Sequence, residues 1–303
     1  MSDILLKSSG FLLLIAAAFL LKRGGMFKKE DGMTLSRLLI NVTMPCALLS
    51  AGRNLQLSAA IGMAFLVGFL VNFLAVGIGY LMAGRDSRMM KGLFVINTAG
   101  FNVGSFALPF ITLFFPSEAL AFVCMFDAGN CIMNLGVNNT LGGIVAGTGR
   151  KRTVKETVRR LFTMPPFLVY ILVIGLAAFG IAMPEWVLTI SQTAASGNAF
   201  IAMTMIGLLL EVKLPKKDLG RLAKLLCGRY LTALLASLAV WFLVPLPDVA
   251  KRGIILCIVA PITSTGPVFT REMVGESDIP AAANSLSILI SLALMTALSA
   301  ALA

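Results

Sequence analysis

The chain reads as long apolar runs punctuated by short polar or basic stretches, and run length carries the first inference. A helix needs roughly 17–25 largely apolar residues to cross a bilayer. Ten stretches meet that length: 4–21, 33–51, 57–83, 89–115, 118–147, 161–181, 185–212, 219–244, 252–275 and 278–302. Ten transmembrane helices are therefore expected, several long enough to tilt or to break. The fourth and ninth carry conspicuous interruptions. One is Asn97-Thr-Ala-Gly-Phe-Asn-Val-Gly-Ser-Phe-Ala-Leu-Pro109 and the other Ala260-Pro-Ile-Thr-Ser-Thr-Gly-Pro267. Proline removes a backbone donor and glycine tolerates non-helical angles, so breaks are expected at Asn102 to Pro109 and at Pro261 to Pro267.

Composition agrees with the pattern. Hydrophobic residues make up 58% of the 303, charged residues 13%, and mean hydropathy is +0.93. That leaves too little polar surface to coat a soluble globule. There is no histidine, and the five cysteines lie in apolar runs without metal-ligand spacing, which excludes a zinc centre or a disulfide framework. The first run, closed by Lys22 and Arg23, reads as a retained span rather than a cleaved signal.

With the N-terminus outside, 19 of the 25 Lys and Arg fall in or beside the loops after spans 1, 3, 5, 7 and 9. The positive-inside rule then places both termini outside the cytoplasm of a multi-pass protein in the cell membrane. The same asymmetry accounts for the net charge of +11, so no nucleic-acid partner is implied.

The basic loop 149–160 divides the chain into residues 1–148 and 161–303, each with five expected spans. An odd number per half makes the halves insert in opposite senses, as two inverted five-helix repeats, and the matching breaks in helices 4 and 9 mark the expected binding site. The offset between Pro109 and Pro267 matches that between the starts of spans 1 and 6 only loosely. Glycines in spans 3 and 5 would allow close helix packing.

Freed backbone groups cannot face lipid, but they can line a cavity. A half-helix N-terminus there presents N–H groups and a partial positive charge suited to a carboxylate. The candidate substrate residues are Asn97, Thr98, Asn102, Gly104 and Ser105 with Thr263, Ser264, Thr265 and Gly266, joined by Asn41 and Arg37 on span 2; Pro109, Pro261 and Pro267 shape the crossover. The alternative is a pair of kinked helices re-satisfied by Ser and Thr. Arg37 either snorkels or meets the anion; Arg229 and Glu211, near span ends, are expected to snorkel or neutralise each other. Arg271 and Glu272 either gate the inner mouth or sit at a hydrated helix end.

Span 5 adds Asp127, Asn130, Asn134 and Asn138 at helical spacing, hence on one face. A carboxylate at that depth costs about 3 kcal/mol unless it is paired, hydrated, protonated or ion-bound. With Asn284 and Ser287 on span 10, these residues form either a site for a coupling H+ or Na+ or a structural polar cluster. No other cofactor is expected.

Span order, Pro45 in Asn41-Val-Thr-Met-Pro-Cys-Ala-Leu-Leu49, the Asn-rich fourth break, Met164-Pro165-Pro166 and the Pro/Gly ninth break together resemble the auxin efflux carrier family. That family includes plant PIN-type auxin exporters and bacterial permeases assigned to malate and malonate. The resemblance covers essentially the whole chain and is greater to the short bacterial members. It implies a scaffold domain from spans 1, 2, 6 and 7, through which a homodimer could form. A transport domain from spans 3–5 and 8–10 would move against it as an elevator.

Three other activities compete with transport. An enzyme lacks support, because the chain has no histidine base, paired intramembrane aspartates or Gly-x-Ser-x-Gly elbow. A channel stays open, since broken helices also line pores. A Na+/H+ antiporter-like exchanger of related architecture is the other alternative, although the crossover carries no acidic pair. Secondary active transport of a small organic anion is the expectation.

Overall fold

The computed structural model describes residues 2–53, 55–149, 153–210 and 216–302. They form helices α1 (Ser2–Arg23), α2 (Lys29–Leu38), α3 (Met44–Ala51), α4 (Ala59–Ala83), α5 (Arg88–Thr98), α6 (Leu108–Phe114), α7 (Ser117–Ile132), α8 (Asn138–Ala146), α9 (Val154–Thr163), α10 (Pro165–Ala178), α11 (Glu185–Ser196), α12 (Asn198–Leu209), α13 (Leu219–Leu243), α14 (Asp248–Val259), α15 (Gly266–Met273) and α16 (Ile279–Leu302). No strand occurs among the described residues, and this is a helical membrane protein.

Among the described residues, five helical stretches are long and apolar enough to cross a membrane: Lys29–Ala51, Ala59–Ala83, Glu118–Ala146, Leu219–Leu243 and Ile279–Leu302, with a sixth if the bent pair α9 and α10 counts as one. Of the other expected spans, 4–21 is the single helix α1, 161–181 contains the junction of α9 and α10, and three are divided. Run length sees hydropathy but not hydrogen-bond registration, so 89–115 becomes α5 and α6, 185–212 becomes α11 and α12, and 252–275 becomes α14 and α15.

Two irregular turns have a local cause. Pro45 cannot donate to the carbonyl of Asn41, nor Pro109 to that of Ser105. The ladder slips by one residue just before each, giving π-helical turns at Leu39–Thr43 and Val103–Ala107, where Met44 N–H donates to Leu39 O and Leu108 N–H to Val103 O. A third π turn, Met133–Val137, has no proline. The linker 149–160 departs from the loop expected there. Arg150, Lys151 and Arg152 lie outside the described residues, but Val154–Thr163 is helical, capped by Thr153 Oγ1 accepting from Glu156 N–H and by Glu156 accepting from Thr153 N–H. Met164 then turns the chain by 83° into α10.

The helices pack chiefly as two sets. In one, α1 lies on α12, α12 on α2, and α3 on α10 and α11; in the other, α4, α5, α7, α8 and α13 to α16 pack on one another. The tightest junction, α4 on α7, rests on reciprocal glycines. A Cβ at Gly68 would overlap the Phe126 carbonyl, and one at Gly129 the Phe65 carbonyl.

Candidate functional site

The two interruptions meet. Helix α5 ends at Thr98, after which Ala99 is extended and Gly100 takes φ +77°, a left-handed angle suited to glycine. Helix α14 ends at Val259, with Ala260 extended. Phe101 and Ile262 then pair as an isolated antiparallel bridge, and Asn102 N–H donates to Pro261 O at 3.0 Å. The break in the fourth segment therefore lies at residues 99–102, upstream of the expected Pro109. Pro267 instead occupies the first turn of α15, where a missing N–H is harmless, and Pro109 opens α6 just after the π turn that accommodates its missing N–H, while Pro261 lies within the second break.

Side chains from neighbouring helices satisfy the freed backbone. Asn130 accepts from Phe101 N–H (3.1 Å) and donates to Phe101 O (2.9 Å). Across the bridge, Ser287 Oγ accepts from Ile262 N–H (3.1 Å) and Asn284 donates to Ile262 O (2.8 Å). Asn72 Oδ1 accepts from Gly100 N–H (2.8 Å) and from Asn138 Nδ2 (3.0 Å). Without such partners these groups would each cost several kcal/mol in hydrocarbon.

Arg229 of α13 overturns an expectation. Far from snorkelling, it is 0% exposed and stands behind the crossover. Its Nη1 donates to Thr98 O (3.0 Å) and Gly100 O (3.1 Å), its Nη2 to Ala260 O (2.6 Å) and Pro261 O (3.3 Å), and the guanidinium lies 4.0 Å from the Phe101 ring centroid. The C-terminal ends of α5 and α14 carry partial negative charge, and Arg229 sits between them. The crossover is thus not neutral, and Glu211, the expected partner, lies outside the described residues.

A cavity of about 80 Å³ opens in front of the crossover. Asn102, Gly104, Ser105, Thr263, Ser264 and Thr265 line one side, at the N-termini of the helical stretch from Val103 and of α15. Asp127, Asn130 and Asn134 line a second wall, and Ile40, Met44, Met164, Pro166 and Phe167 close the rest with apolar surface. A Cβ at Gly104 would overlap the Met44 methyl, so any larger residue there requires the flexible end of Met44 to move.

Asp127 is 3% exposed; its Oδ2 accepts from Tyr170 OH at 2.6 Å and its Oδ1 from Asn130 Nδ2 at 3.0 Å. Asn134 donates to Thr263 Oγ1 (3.1 Å), which also bonds Thr265 Oγ1 (3.0 Å). The π turn at 133–137 adds a residue to the helix, so Asn138 swings away from this face to Asn72.

Other sequence-derived residues sit elsewhere. Asn97 is buried, donating to Thr270 Oγ1 (2.7 Å) and Leu93 O (2.8 Å), and Gly266 is pressed against its Oδ1. The Thr98 side chain packs on Gly79 of α4. Asn41 and Arg37 are exposed, with Asn41 donating to Arg37 O, and the π turn aims Ile40 and Met44 at the cavity instead. Asn284 and Ser287 serve Ile262 and are not among the lining residues. Asn198 of α12 accepts from Thr43 Oγ1 across helices (2.9 Å). Sequence reasoning passed over Asn72, Tyr170 and Thr270 and misjudged Arg229. Asn72 had a signal as the lone strongly polar residue of its apolar span, and Arg229 had one in lying deeper in its span than Arg221 and Lys224; Tyr170 and Thr270 had none.

No protein-family model matches the chain. Over 166 residues it is 27% identical to a protein of Methanothermobacter thermautotrophicus named an uncharacterized transporter, and the aligned stretch covers 53% of each chain. The chain thus matches about half the length of that relative.

Proposed function

We propose that the protein is a secondary active transporter that moves a small organic anion, a carboxylate, across the cell membrane by elevator-type alternating access. The observation that carries this reading is the crossover itself, where two interrupted helices direct two N-termini, with Ser105, Thr263, Ser264 and Thr265, at one cavity. Backbone N–H groups and helix dipoles of that kind favour a carboxylate. The separation of the helices into two packing sets supports a mobile unit containing the crossover and a scaffold containing α1–α3 and α10–α12. The transporter name of the relative and the resemblance to the auxin efflux carrier family point the same way. A coupling cation, H+ or Na+, would act through Asp127. Its placement as the single acidic residue lining the cavity favours anion transport over a Na+/H+ antiporter built on an acidic pair.

Thermal unfolding of the purified protein against a panel of small carboxylates, with and without Na+, tests the reading. A ligand at about 100 times its Kd adds roughly 2.7 kcal/mol to the folded state, enough to raise Tm by several degrees. Asn102→Leu should abolish that rise with little change in the unliganded Tm. A panel that shifts nothing, or an Asn102→Leu protein that responds as wild type does, sinks the proposal.

A further inference from the structure

Helix α9 connects the two halves of the chain and makes an 83° bend with α10, so if α10 crosses the bilayer then α9 lies along its surface. At about 100° per residue its side chains sort into four strips. Thr157, Arg160 and Leu161 face the protein: Thr157 sits over Gly136 in the π turn of the cavity helix, Leu161 is buried, and Arg160 pairs with Glu272 of α15 at 3.3 Å. Next come Val158 and Phe162, 45% and 55% exposed, although both are large and apolar. The Phe162 ring meets Phe167 of α10 at 6.0 Å, so this strip faces the side of the elbow into which α10 descends. Beyond it are Lys155 and Arg159, both exposed, and last Glu156 and Thr163.

Protein, apolar, basic and polar strips in that order suit an amphipathic helix at a lipid headgroup boundary. Two large apolar side chains exposed side by side on one strip gain nothing from water, whereas an acyl boundary gives them burial. We infer that α9 is a docking surface for anionic phospholipid: Val158 and Phe162 enter the acyl boundary, and Lys155 and Arg159 bind headgroup phosphates. The commitment to lipid rests on this charge complementarity, reinforced by Arg150, Lys151 and Arg152 just before the helix in sequence. Because α9 touches both Gly136 and Glu272, lipid held there bears on the elements that frame the cavity.

Hydrogen–deuterium exchange on the full-length protein, in nanodiscs of phosphatidylcholine alone and of phosphatidylcholine with phosphatidylglycerol, provides the test. Peptides covering 153–164 should exchange on the order of tenfold more slowly with the anionic lipid, given two basic residues near the surface. The double variant Lys155→Glu/Arg159→Glu should lose that difference, with exchange in α4 and α13 as in wild type. Val158→Ser/Phe162→Ser should raise exchange in both lipids. Equal exchange in the two lipids overturns the inference, as does a difference that survives the charge reversal. Protection by free glycerol phosphate in phosphatidylcholine discs would also overturn it, by revealing a soluble-phosphate site.

Discussion

At the scale of single residues, Arg229 and Asp127 divide the work of the crossover. Arg229 satisfies four carbonyls across both breaks, so removing its fork strands acceptors that each cost about 1–3 kcal/mol when buried. Arg229→Met should destabilise the protein by roughly 3 kcal/mol or more. Arg229→Lys keeps the charge but not the planar fork and should fall between Met and wild type. Amide exchange checks this: peptides across 99–103 and 260–265 should exchange faster in both variants, with α1 unchanged. Exchange confined to one break would show that Arg229 does not tie the two together. Asp127→Asn keeps the side chain's shape and removes the charge; its oxygen can still accept from Asn130, while its NH2 would donate to the Tyr170 hydroxyl in place of accepting from it. If Asp127 couples a cation, the variant should lose gradient-driven accumulation in proteoliposomes while retaining substrate exchange. Equal loss of both would assign Asp127 a structural part. Asp127 was legible in the sequence as an acid well inside an apolar span. Its Tyr170 partner was not, because phenolic side chains are common in membrane helices and nothing local marks one that bonds a carboxylate.

At the scale of helices, close packing is decided glycine by glycine. Gly62 and Gly68 lie on the same helix, yet a Cβ at Gly62 meets nothing within 4 Å, whereas one at Gly68 strikes the Phe126 backbone. Gly62→Ala should therefore leave Tm unchanged or raise it slightly, from a propensity gain of up to about 1 kcal/mol. Gly68→Ala should lower stability by about 1–3 kcal/mol as overpacking separates α4 from α7. Thermal unfolding of the pair measures the contrast, and equal effects would contradict the packing. The prolines show the limit of local reading. Pro45 and Pro109 announced irregularity, but the irregularity appears upstream, in the π turns that absorb the missing donors. The π turn at 133–137 had no proline to mark it, and it moved Asn138 off the face shared by Asp127, Asn130 and Asn134.

At the scale of the whole molecule, elevator movement requires the two sets of helices to slide past each other while each stays intact. Cysteine cross-links between α10 and α7, which belong to different sets, should stop transport until reduced. Links between α4 and α7, within one set, should leave transport at wild-type rates, and uptake in proteoliposomes before and after reduction decides the matter. Full activity with α10 locked to α7 would exclude the movement. The sequence by itself determined that this is a helical membrane protein and where two of its apolar segments are interrupted, because hydropathy, proline and glycine act through the local chain. Only the tertiary structure decided that the interruptions pair through Phe101 and Ile262. It also decided that Asn72, Asn130, Asn284 and Ser287 satisfy the exposed backbone. It placed Arg229, 131 residues from Thr98 along the chain, between two helix ends. A buried polar group takes whatever partner the packing brings within about 3 Å, and that choice is made by neighbours in space, not in sequence.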